Sequence, residues 1–319
     1  MGISAYLKEI GRGKDGARAL ERAQATDLLG EILDGRASDL EIGAFCIAMR
    51  VKGETPEELA GFLDAVHARL PVLPACSSPT VVLPCYNGAR KLPALTPLLA
   101  LLLARRGVRV LVHGQPQDPG RVTTFEVLQA LGAADTTLPI HWPASPQALG
   151  TQPGVVHAMP TAMLLPGLQR LLDARRVIGL RNSAHSLVKL MQPVADAWLV
   201  SSYTHPEYLH SMSALFELTG QRAMLLRGTE GEPVADPRRV PQLDLFIDGQ
   251  RRTVQAAQSG PLAQLPSLPA THDPDTTATF IGHVLRGLIP VPTPLALQVE
   301  HLCDALFPSL TSLPLETTP

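Results

Sequence analysis

Residues 80–114 indicate the fold class of this chain; their sequence is TVVLPCYNGARKLPALTPLLALLLARRGVRVLVHG. A short apolar, β-prone run at 80–83 is followed by a helical run at 97–106 and a second apolar run at 108–112. Gly107 stands where a helix needs a left-handed residue to end. Several of the strands predicted along the chain, such as 223–226, are apolar throughout instead of alternating, which is typical of parallel strands covered by helices on both faces of a sheet.

The same alternation of short apolar runs and helical runs continues from residue 115 onward. Gly132 and Gly220 are predicted to end two of the helices in the way that Gly107 does. Residues 80–319 are therefore predicted to form an α/β domain with a mainly parallel central sheet. Its further strands are expected at 155–159, 197–201 and 223–226, its helices at 124–131, 161–174 and 206–219, and a hairpin at 243–248 and 251–255.

Residues 1–73 carry only helical patterns and predict a small helical domain. Two capping boxes are present, SDLE at 38–41 and TPEE at 55–58. In each, the hydroxyl of the first residue accepts the backbone N–H of the glutamate three positions later, and the glutamate carboxylate accepts the backbone N–H of the first residue. A third helix is predicted to follow Thr26. The stretch 71–79 is expected to be a linker, and the helical segment near 163–190 is expected to pack with the helical domain.

The chain has 319 residues, with 27 lysines and arginines against 29 aspartates and glutamates. Its net charge of −2 gives no global reason to expect a nucleic-acid or membrane partner, so such a function must rest on local charge. The longest apolar run, 95–104, is about half of the ~20 residues that a membrane span needs. We expect no signal peptide, and we expect the four cysteines to be reduced thiols of a cytoplasmic protein.

Positive charge is concentrated in two windows of the sequence. Residues 84–125 hold six basic side chains against Asp118 alone, and residues 169–192 hold five against Asp173 alone. The first window contains the loops that follow the first two predicted strands, and open parallel sheets bind ligands at the carboxyl ends of their strands. Local charge therefore favours a phosphate-bearing partner at that edge of the sheet.

Several motifs resemble anthranilate phosphoribosyltransferases of glycosyltransferase family 3, namely LEIGAF (40–45), MRVKGETPEELA (49–60), His113-Gly114 and EVLQALG (126–132). The resemblance implies a small helical domain followed by a large α/β domain. The loops are more similar to a sister family, the YbiB family, through IGRGK (10–14), YNGARK (86–91), LTPLL (95–99), RNSAH (181–185), HPEY (205–208) and GTEGE (228–232). That family is described as nucleic-acid-binding proteins on the transferase fold, without demonstrated transferase activity.

The resemblance places loop 84–91 where the transferases have a glycine-rich loop that holds phosphoribosyl pyrophosphate. This loop contains one glycine, and Pro84 has no N–H to donate. We expect Asn87 and the cationic side chains of Arg90 and Lys91 to contact phosphate in place of a backbone nest.

A second departure follows His113-Gly114, where Val112 replaces a lysine of the transferases. Arg121, Thr123 and Thr124 are candidate phosphate contacts at the start of a helix; alternatively, Thr123 only caps that helix together with Glu126.

The RNSAH motif supplies further candidates. Arg181 and Asn182 are predicted to meet a base or a phosphate, and Lys189 belongs to the same basic window. His185 is either a general base or a hydrogen-bonded structural histidine.

The GTEGE motif replaces the adjacent aspartate and glutamate that bind magnesium in the transferases. Glu230 and Glu232 stand two residues apart on a glycine-containing turn, where they either hold magnesium or form a solvated turn. We expect no required cofactor, with magnesium as the alternative.

Together these observations predict a sequence-nonspecific nucleic-acid-binding protein without catalytic residues, dimeric through its helical domain. Its expected partner is single- or double-stranded DNA, with RNA as an alternative. Aromatic residues are 4% of the chain, so phosphate contacts should dominate, with Tyr86 and Tyr203 as candidates for base stacking. Two other functions stay open: a phosphoribosyltransferase with an altered donor site, and a pseudoenzyme that binds a small metabolite.

Overall fold

A computed structural model describes residues 2–13, 15–261 and 265–307 of the chain. Lys14 of the IGRGK motif, residues 262–264 and the end of the predicted 80–319 domain lie outside the described residues. The predicted fold class is confirmed, because a small helical domain precedes a larger α/β domain whose sheet is mostly parallel.

The helical domain begins with α1 (Ser4–Ile10), α2 (Arg22–Leu33), α3 (Asp39–Lys52) and α4 (Pro56–His67). Both predicted capping boxes are present. The Glu41 carboxylate accepts the N–H of Ser38 at 2.9 Å, while Ser38 Oγ accepts the N–H of Glu41 at 3.3 Å. Thr55 and Glu58 make the same exchange at the start of α4.

The predicted start of α2 after Thr26 is wrong, because α2 begins earlier, at Arg22. Glu21 caps it together with Gln24, a pair of side chains that lacks the hydroxyl of the usual motif. The hydroxyl of Thr26 instead donates to the carbonyl oxygens of Arg22 at 2.8 Å and Gly61 at 3.0 Å.

The α/β domain alternates strands and helices along the chain, with a segment of three consecutive helices in its middle. Its elements are β1 (Thr80–Cys85), α5 (Thr96–Arg105), β2 (Arg109–Gly114), α6 (Thr124–Ala134), β3 (Ile140–His141), β4 (Val156–Pro160), α7 (Thr161–Leu164), α8 (Pro166–Ile178), α9 (Ala184–Leu190), β5 (Trp198–Tyr203), α10 (Pro206–Thr219), β6 (Ala223–Arg227), β7 (Leu243–Ile247), β8 (Gln250–Gln255), α11 (Pro274–Leu285) and α12 (Thr293–Leu306).

The sheet has the strand order β3-β4-β2-β1-β5-β6-β7-β8. The first six of these strands run parallel, and β7 and β8 continue the sheet as an antiparallel hairpin. The central strands β1 and β2 are buried along their whole length. This burial includes Arg109, whose guanidinium donates to Thr80 Oγ1 at 3.0 Å and to the carbonyl oxygen of Pro74 at 2.9 Å.

Three local predictions differ from the structure. Gly132 lies inside α6 and does not end it, since the helix continues to Ala134; Gly107 and Gly220 do adopt the expected positive φ. The helix predicted at 161–174 is divided into α7 and α8, because Leu165 precedes a proline, which disfavours a helical conformation at that residue. The sequence patterns missed β3, which has two residues, whereas α9 lies within the helical segment predicted near 163–190.

The helical domain covers one face of the sheet. Val82 and Leu111 belong to a core cluster that also contains Phe45 and Phe62 of the helical domain. Residues of alternate orientation on the same strands, such as Val81, pack against α5, α6, α11 and α12 on the opposite face. No helix of the described residues combines the length and apolar character needed to cross a membrane.

Helix α8 lies against the helical domain although it belongs to the later part of the chain. A Cβ atom on Gly167 would overlap the carbonyl oxygen of Leu33, so the two backbones approach closely at that point. Arg170 donates to the carbonyl oxygen of Ile32 at 2.8 Å, and Ser183 donates to Glu54 at 2.6 Å. The segment that carries the RNSAH motif is thereby anchored beside α2 and α3.

Removal of the buried Glu58 carboxylate should strongly destabilise the protein. Glu58 is fully buried and accepts hydrogen bonds from Lys52 Nζ at 2.6 Å and from the backbone N–H groups of Leu20 and Thr55 at 2.9 and 3.0 Å. Glu58→Ala leaves the Lys52 ammonium buried and unpaired, so we expect a loss of about 3–5 kcal/mol in the free energy of unfolding.

Urea denaturation followed by circular dichroism measures this loss. The matched control is Glu57→Ala, since Glu57 is the exposed neighbour in the same first turn of α4. If both variants unfold at the same urea concentration as the unmodified protein, the buried ion pair contributes nothing.

Candidate phosphate-binding site

The loops that follow β1, β2, β5 and β6 meet at one edge of the sheet, because parallel strands end on the same side. This carboxyl edge holds loop 86–92 after β1, loop 115–123 after β2 and the GTEGE turn, residues 228–232, after β6. The RNSAH segment reaches the same place, because Arg181 Nη2 donates to Asn87 Oδ1 at 3.0 Å. The candidate loops therefore lie at the edge where the sequence predicts them.

Loop 86–92 does form a backbone nest, contrary to our expectation of side chains alone. The N–H groups of Asn87 and Gly88 donate to Glu232 Oε1 at 2.7 and 2.9 Å. Three further N–H groups donate to one oxygen, Glu230 Oε2, at 2.9, 3.1 and 3.3 Å; they belong to Arg90, Lys91 and Leu92. The nest that would hold an anionic ligand is therefore filled by carboxylates of the chain itself.

The GTEGE turn fits closely against loop 86–92. Glu230 has a φ of +53°, a left-handed conformation that is uncommon for a residue with a side chain. Gly231 also has a positive φ, and a Cβ atom there would overlap the side-chain amide of Asn87. Its carbonyl oxygen accepts hydrogen bonds from Lys189 Nζ at 2.7 Å and Ser202 Oγ at 2.9 Å. The backbone geometry therefore requires glycine at position 231, whereas Glu230 adopts a left-handed conformation that disfavours its side chain.

Glu232 and Lys189 form the polar centre beneath the edge. Glu232 is 2% exposed, and burial raises the pKa of its carboxyl group, although the N–H of Gly88 and the charge of Lys189 oppose this rise. Burial lowers the pKa of Lys189 to about 8, while the charge of Glu232 opposes that fall. Thr124 Oγ1 donates to Glu232 Oε2 at 3.3 Å. Lys189 and Thr124 therefore make internal contacts in this structure.

Thr123 and Asn182 also make internal hydrogen bonds. Thr123 caps α6 together with Glu126, which accepts its N–H at 2.7 Å, so the capping interpretation describes its position. Asn182 is 7% exposed; its side chain donates to the carbonyl oxygen of Leu171 at 2.8 Å and accepts the N–H of Ala184 at 3.0 Å.

His185 and Tyr86 lie together below the surface. His185 Nε2 is 3.3 Å from the hydroxyl of Tyr86, and the two rings meet edge to face. Burial, and then the charge of Arg181, lower the pKa of His185 to about 3, so its imidazole is neutral near pH 7. Tyr86 is 8% exposed and offers no free face for base stacking, whereas Tyr203 is partly exposed.

Five cationic side chains lie near this edge, of which only the first two are exposed, and we call them the basic cluster: Arg90, Lys91, Arg121, Arg175 and Arg181. Burial, followed by the charges of Arg175 and Arg121, lowers the pKa of Arg181. Burial, followed by the charge of Arg90, lowers the pKa of Arg121. Within the described part of the chain, none of the five forms a salt bridge with a carboxylate. Such a group of unpaired cations attracts phosphate.

Arg175 was not among the predicted site residues, although it was counted in the second basic window. Its charge reaches Tyr86, Arg121 and Arg181, which places it in the cluster. The signal that could have identified it is its position in the last turn of α8, just before the RNSAH motif.

Glu230 and Glu232 do not fit a magnesium ion in this arrangement. Glu232 Oε1 and Glu230 Oε2 accept hydrogen bonds from backbone N–H groups, whose positive ends repel a cation at those two oxygens. Among the residues that the structure describes, no group of three or more histidine, cysteine, aspartate or glutamate side chains is placed to hold a metal ion. This geometry therefore does not support the magnesium alternative at Glu230 and Glu232.

Comparisons with known proteins agree with the architecture. Residues 4–69 match the model of the glycosyltransferase family helical bundle domain. The protein YbiB of Escherichia coli (strain K12), described as uncharacterized, is 40% identical over 297 residues, which cover 92% of this chain and 91% of that protein. The anthranilate phosphoribosyltransferase of Persephonella marina is 24% identical over 72% of this chain and 66% of that enzyme.

Solved structures show the same fold. The anthranilate phosphoribosyltransferase of Thermus thermophilus superimposes with a TM-score of 0.69 at 21% identity, covering 97% of this chain and 90% of that one. The enzyme from Saccharomyces cerevisiae, solved in complex with PRPP and Mg, gives a TM-score of 0.66 at 14% identity, covering 95% and 88% of the two chains.

The lowered pKa of Lys189 predicts a specific dependence of stability on pH. An unfolded chain keeps a lysine protonated up to a pKa of about 10.4, whereas the folded protein releases this proton near pH 8. Between these values the unfolded state binds more protons, so rising pH stabilises the folded state. The variant Lys189→Met lacks this contribution.

Urea denaturation of both proteins across this pH range measures the effect. The free energy of unfolding of the unmodified protein, minus that of Lys189→Met, should be constant below pH 7 and increase above pH 8. A difference that stays flat from neutral to alkaline pH would show that Lys189 is not desolvated.

Proposed function

The chain belongs to the YbiB family, and we propose that it binds nucleic acid without sequence preference, through the phosphate backbone, at its basic cluster. The observation that carries this proposal is the combination found at the carboxyl edge. Five cations lack carboxylate partners within the described residues, while the neighbouring backbone nest is already filled by Glu230 and Glu232.

A phosphodiester backbone suits such a surface. Guanidinium and ammonium groups contact phosphates from outside and need no enclosed cradle, and their contribution is independent of base sequence. Base stacking contributes little in this proposal, because Tyr86 is covered by His185 and aromatic residues are few. We assign single- or double-stranded DNA as the partner. The affinities for DNA and RNA oligonucleotides of the same sequence distinguish the two, and tighter binding of DNA is expected.

The occupied nest argues against phosphoribosyl transfer. A diphosphate-bearing donor needs free N–H groups or a metal at this position, and the five N–H groups of loop 86–92 already donate to the chain's own carboxylates. Pro84 and Val112, which are both buried in the central strands, add no donor group at the edge. The proposed protein is therefore a binder on a transferase fold.

We also propose that two copies associate through the helical domain. Helix α3 exposes an apolar stripe of Leu40, Ile47 and Val51, spaced so that they share one face of the helix. Val177 and Leu180, which are 91% and 45% exposed, lie at the end of α8, the helix that packs beside α3. A second copy that covers these side chains removes apolar surface from water.

Loss of Arg90 and Lys91 tests the proposed nucleic-acid binding. Both side chains are exposed, so Arg90→Ala combined with Lys91→Ala should leave the fold unchanged. Affinity for a labelled single-stranded oligonucleotide should fall, and the slope of log affinity against log salt should become shallower by about 1.4, the value for two lost phosphate contacts. Fluorescence anisotropy over a series of salt concentrations measures both quantities.

The matched control removes two cations from the opposite edge of the sheet. Arg106 and Arg222 are exposed and precede β2 and β6, so they lie at the amino ends of those strands. Arg106→Ala combined with Arg222→Ala should leave the salt slope unchanged. Equal losses in both double variants would mean that the binding face is elsewhere, and no loss in either would refute the proposal.

A charge in the α3 stripe tests the proposed dimer. Ile47→Glu combined with Val51→Glu should convert the dimer into a monomer in light scattering after size-exclusion chromatography, because two carboxylates would be buried against the second copy. The control variant is Leu218→Glu in α10, where the side chain is about as exposed as that of Ile47; this variant should stay dimeric. A monomeric unmodified protein would contradict this part of the proposal.

A further inference from the structure

We propose that Glu230 is an internal substitute for a phosphate group: its carboxylate closes an anion-binding nest, and removing it opens a site for inorganic phosphate or a terminal phosphate monoester. This inference concerns a site beside the basic cluster and does not depend on nucleic-acid binding. The proposed site consists of the backbone N–H groups of Arg90, Lys91 and Leu92.

Three consecutive N–H groups converge on a single oxygen atom of Glu230. Their distances to Oε2 are 2.9, 3.1 and 3.3 Å, a geometry in which each donor points at one anionic position. Successive N–H groups that point into one concavity bind anions in proteins, and phosphate oxygens accept such hydrogen bonds as carboxylate oxygens do. The geometry therefore defines an oxyanion site whose present occupant is covalently part of the chain.

The backbone of Glu230 shows that this occupant is held in an unfavourable conformation. Its φ of +53° and ψ of 20° lie in the left-handed region, where a residue with a Cβ atom is disfavoured. Gly231 follows with a φ of +88°, so the turn needs two successive residues at positive φ. The carboxylate reaches the nest only from this turn, and its hydrogen bonds offset the cost of the conformation.

Glu230, and not Glu232, is the residue that an external anion can replace. Glu232 is almost fully buried, and both of its oxygens accept hydrogen bonds from other elements. Glu230 is partly exposed, and its donors belong to the outer part of the loop, where Arg90 and Lys91 are exposed. The charge of Glu230 also reaches Arg121, so its removal takes away a negative charge that would repel an incoming anion near that guanidinium.

The test replaces Glu230 by glycine, which accepts a left-handed conformation without strain and so preserves the turn. Inorganic phosphate is titrated into magnesium-free protein, with calorimetry and amide NMR shifts as readouts. Glu230→Gly should bind phosphate about tenfold or more tightly than the unmodified protein, the factor expected when one competing charged acceptor is removed. The amides of Arg90, Lys91 and Leu92 should shift with the titration.

Glu207→Ala is the matched control, because Glu207 is an exposed carboxylate in the first turn of α10, after the neighbouring strand β5. It removes the same charge from the same edge without touching the nest. Phosphate binding by Glu207→Ala as tight as that by Glu230→Gly would reduce the effect to net charge and overturn the proposal.

Two further results would also overturn it. The first is a folded Glu230→Gly protein whose phosphate affinity equals that of the unmodified chain, and the second is binding that leaves the three amides unshifted. Glu230→Ala, which lacks the carboxylate but keeps a Cβ atom, serves as the second variant if the glycine variant does not fold. It should show the same gain in affinity.

Discussion

The buried carboxylate of Glu232 is the contact on which the carboxyl edge of the sheet depends. It accepts two N–H groups from the loop after β1 and the hydroxyl of Thr124 at the start of α6, while the charge of Lys189 on α9 compensates its own. A buried charge is costly unless all its partners are present. The loop, the two helices and the GTEGE turn are therefore held in one arrangement. Movement of any one of them would leave the buried carboxylate without a hydrogen-bond or charge partner, which would destabilise the fold.

This arrangement separates the two signs of charge at the edge. The carboxylates of Glu230 and Glu232 turn inward to backbone N–H groups, whereas Arg90 and Lys91 point to solvent. Arg121 donates to the carbonyl oxygen of Gly88, and Arg181 donates to the side chain of Asn87, so both arginines hold the loop in place. Neither arginine forms a salt bridge with a carboxylate of the described residues. The basic cluster therefore brings five positive charges together, although the whole chain has a net charge of −2. In the proposed function an extended polyanion would contact these side chains from outside, whereas a small diphosphate would meet backbone N–H groups that already donate to Glu230 and Glu232.

The features of the fold that depend on short-range chemistry were predictable from the sequence. Buried parallel strands require continuous apolar runs, and the capping boxes at Ser38 and Thr55 join residues three apart, so both leave local signals. The division of α7 from α8 follows from Pro166 and could have been predicted from it. The helix end predicted at Gly132 was wrong because glycine is tolerated within a helix whose neighbours pack well.

The candidate site was predictable in its place but not in its internal contacts. The rule that ligands bind at the carboxyl ends of parallel strands located Arg90, Arg121 and the GTEGE turn. It could not show that Glu230 pairs with N–H groups 140 residues away, since nothing in either segment specifies the other. The internal hydrogen bonds of Asn182 and Lys189 were unpredictable for the same reason, because a polar side chain in a basic window has the same sequence signal whether it faces solvent or a buried carbonyl oxygen.

The close approach of Gly167 to the carbonyl of Leu33 has a consequence for the evolution of this architecture. Helix α8 comes from the second domain in chain order, yet it completes the packing of the first, and their side chains share one core cluster with the sheet. The helical domain, residues 1–73, is thus not an independent unit that a linker alone joins to the rest of the chain. A recombination event that replaced residues 1–73 would have to preserve the surface against which α8 packs. Substitutions in the helical domain and in α8 are therefore expected to depend on one another.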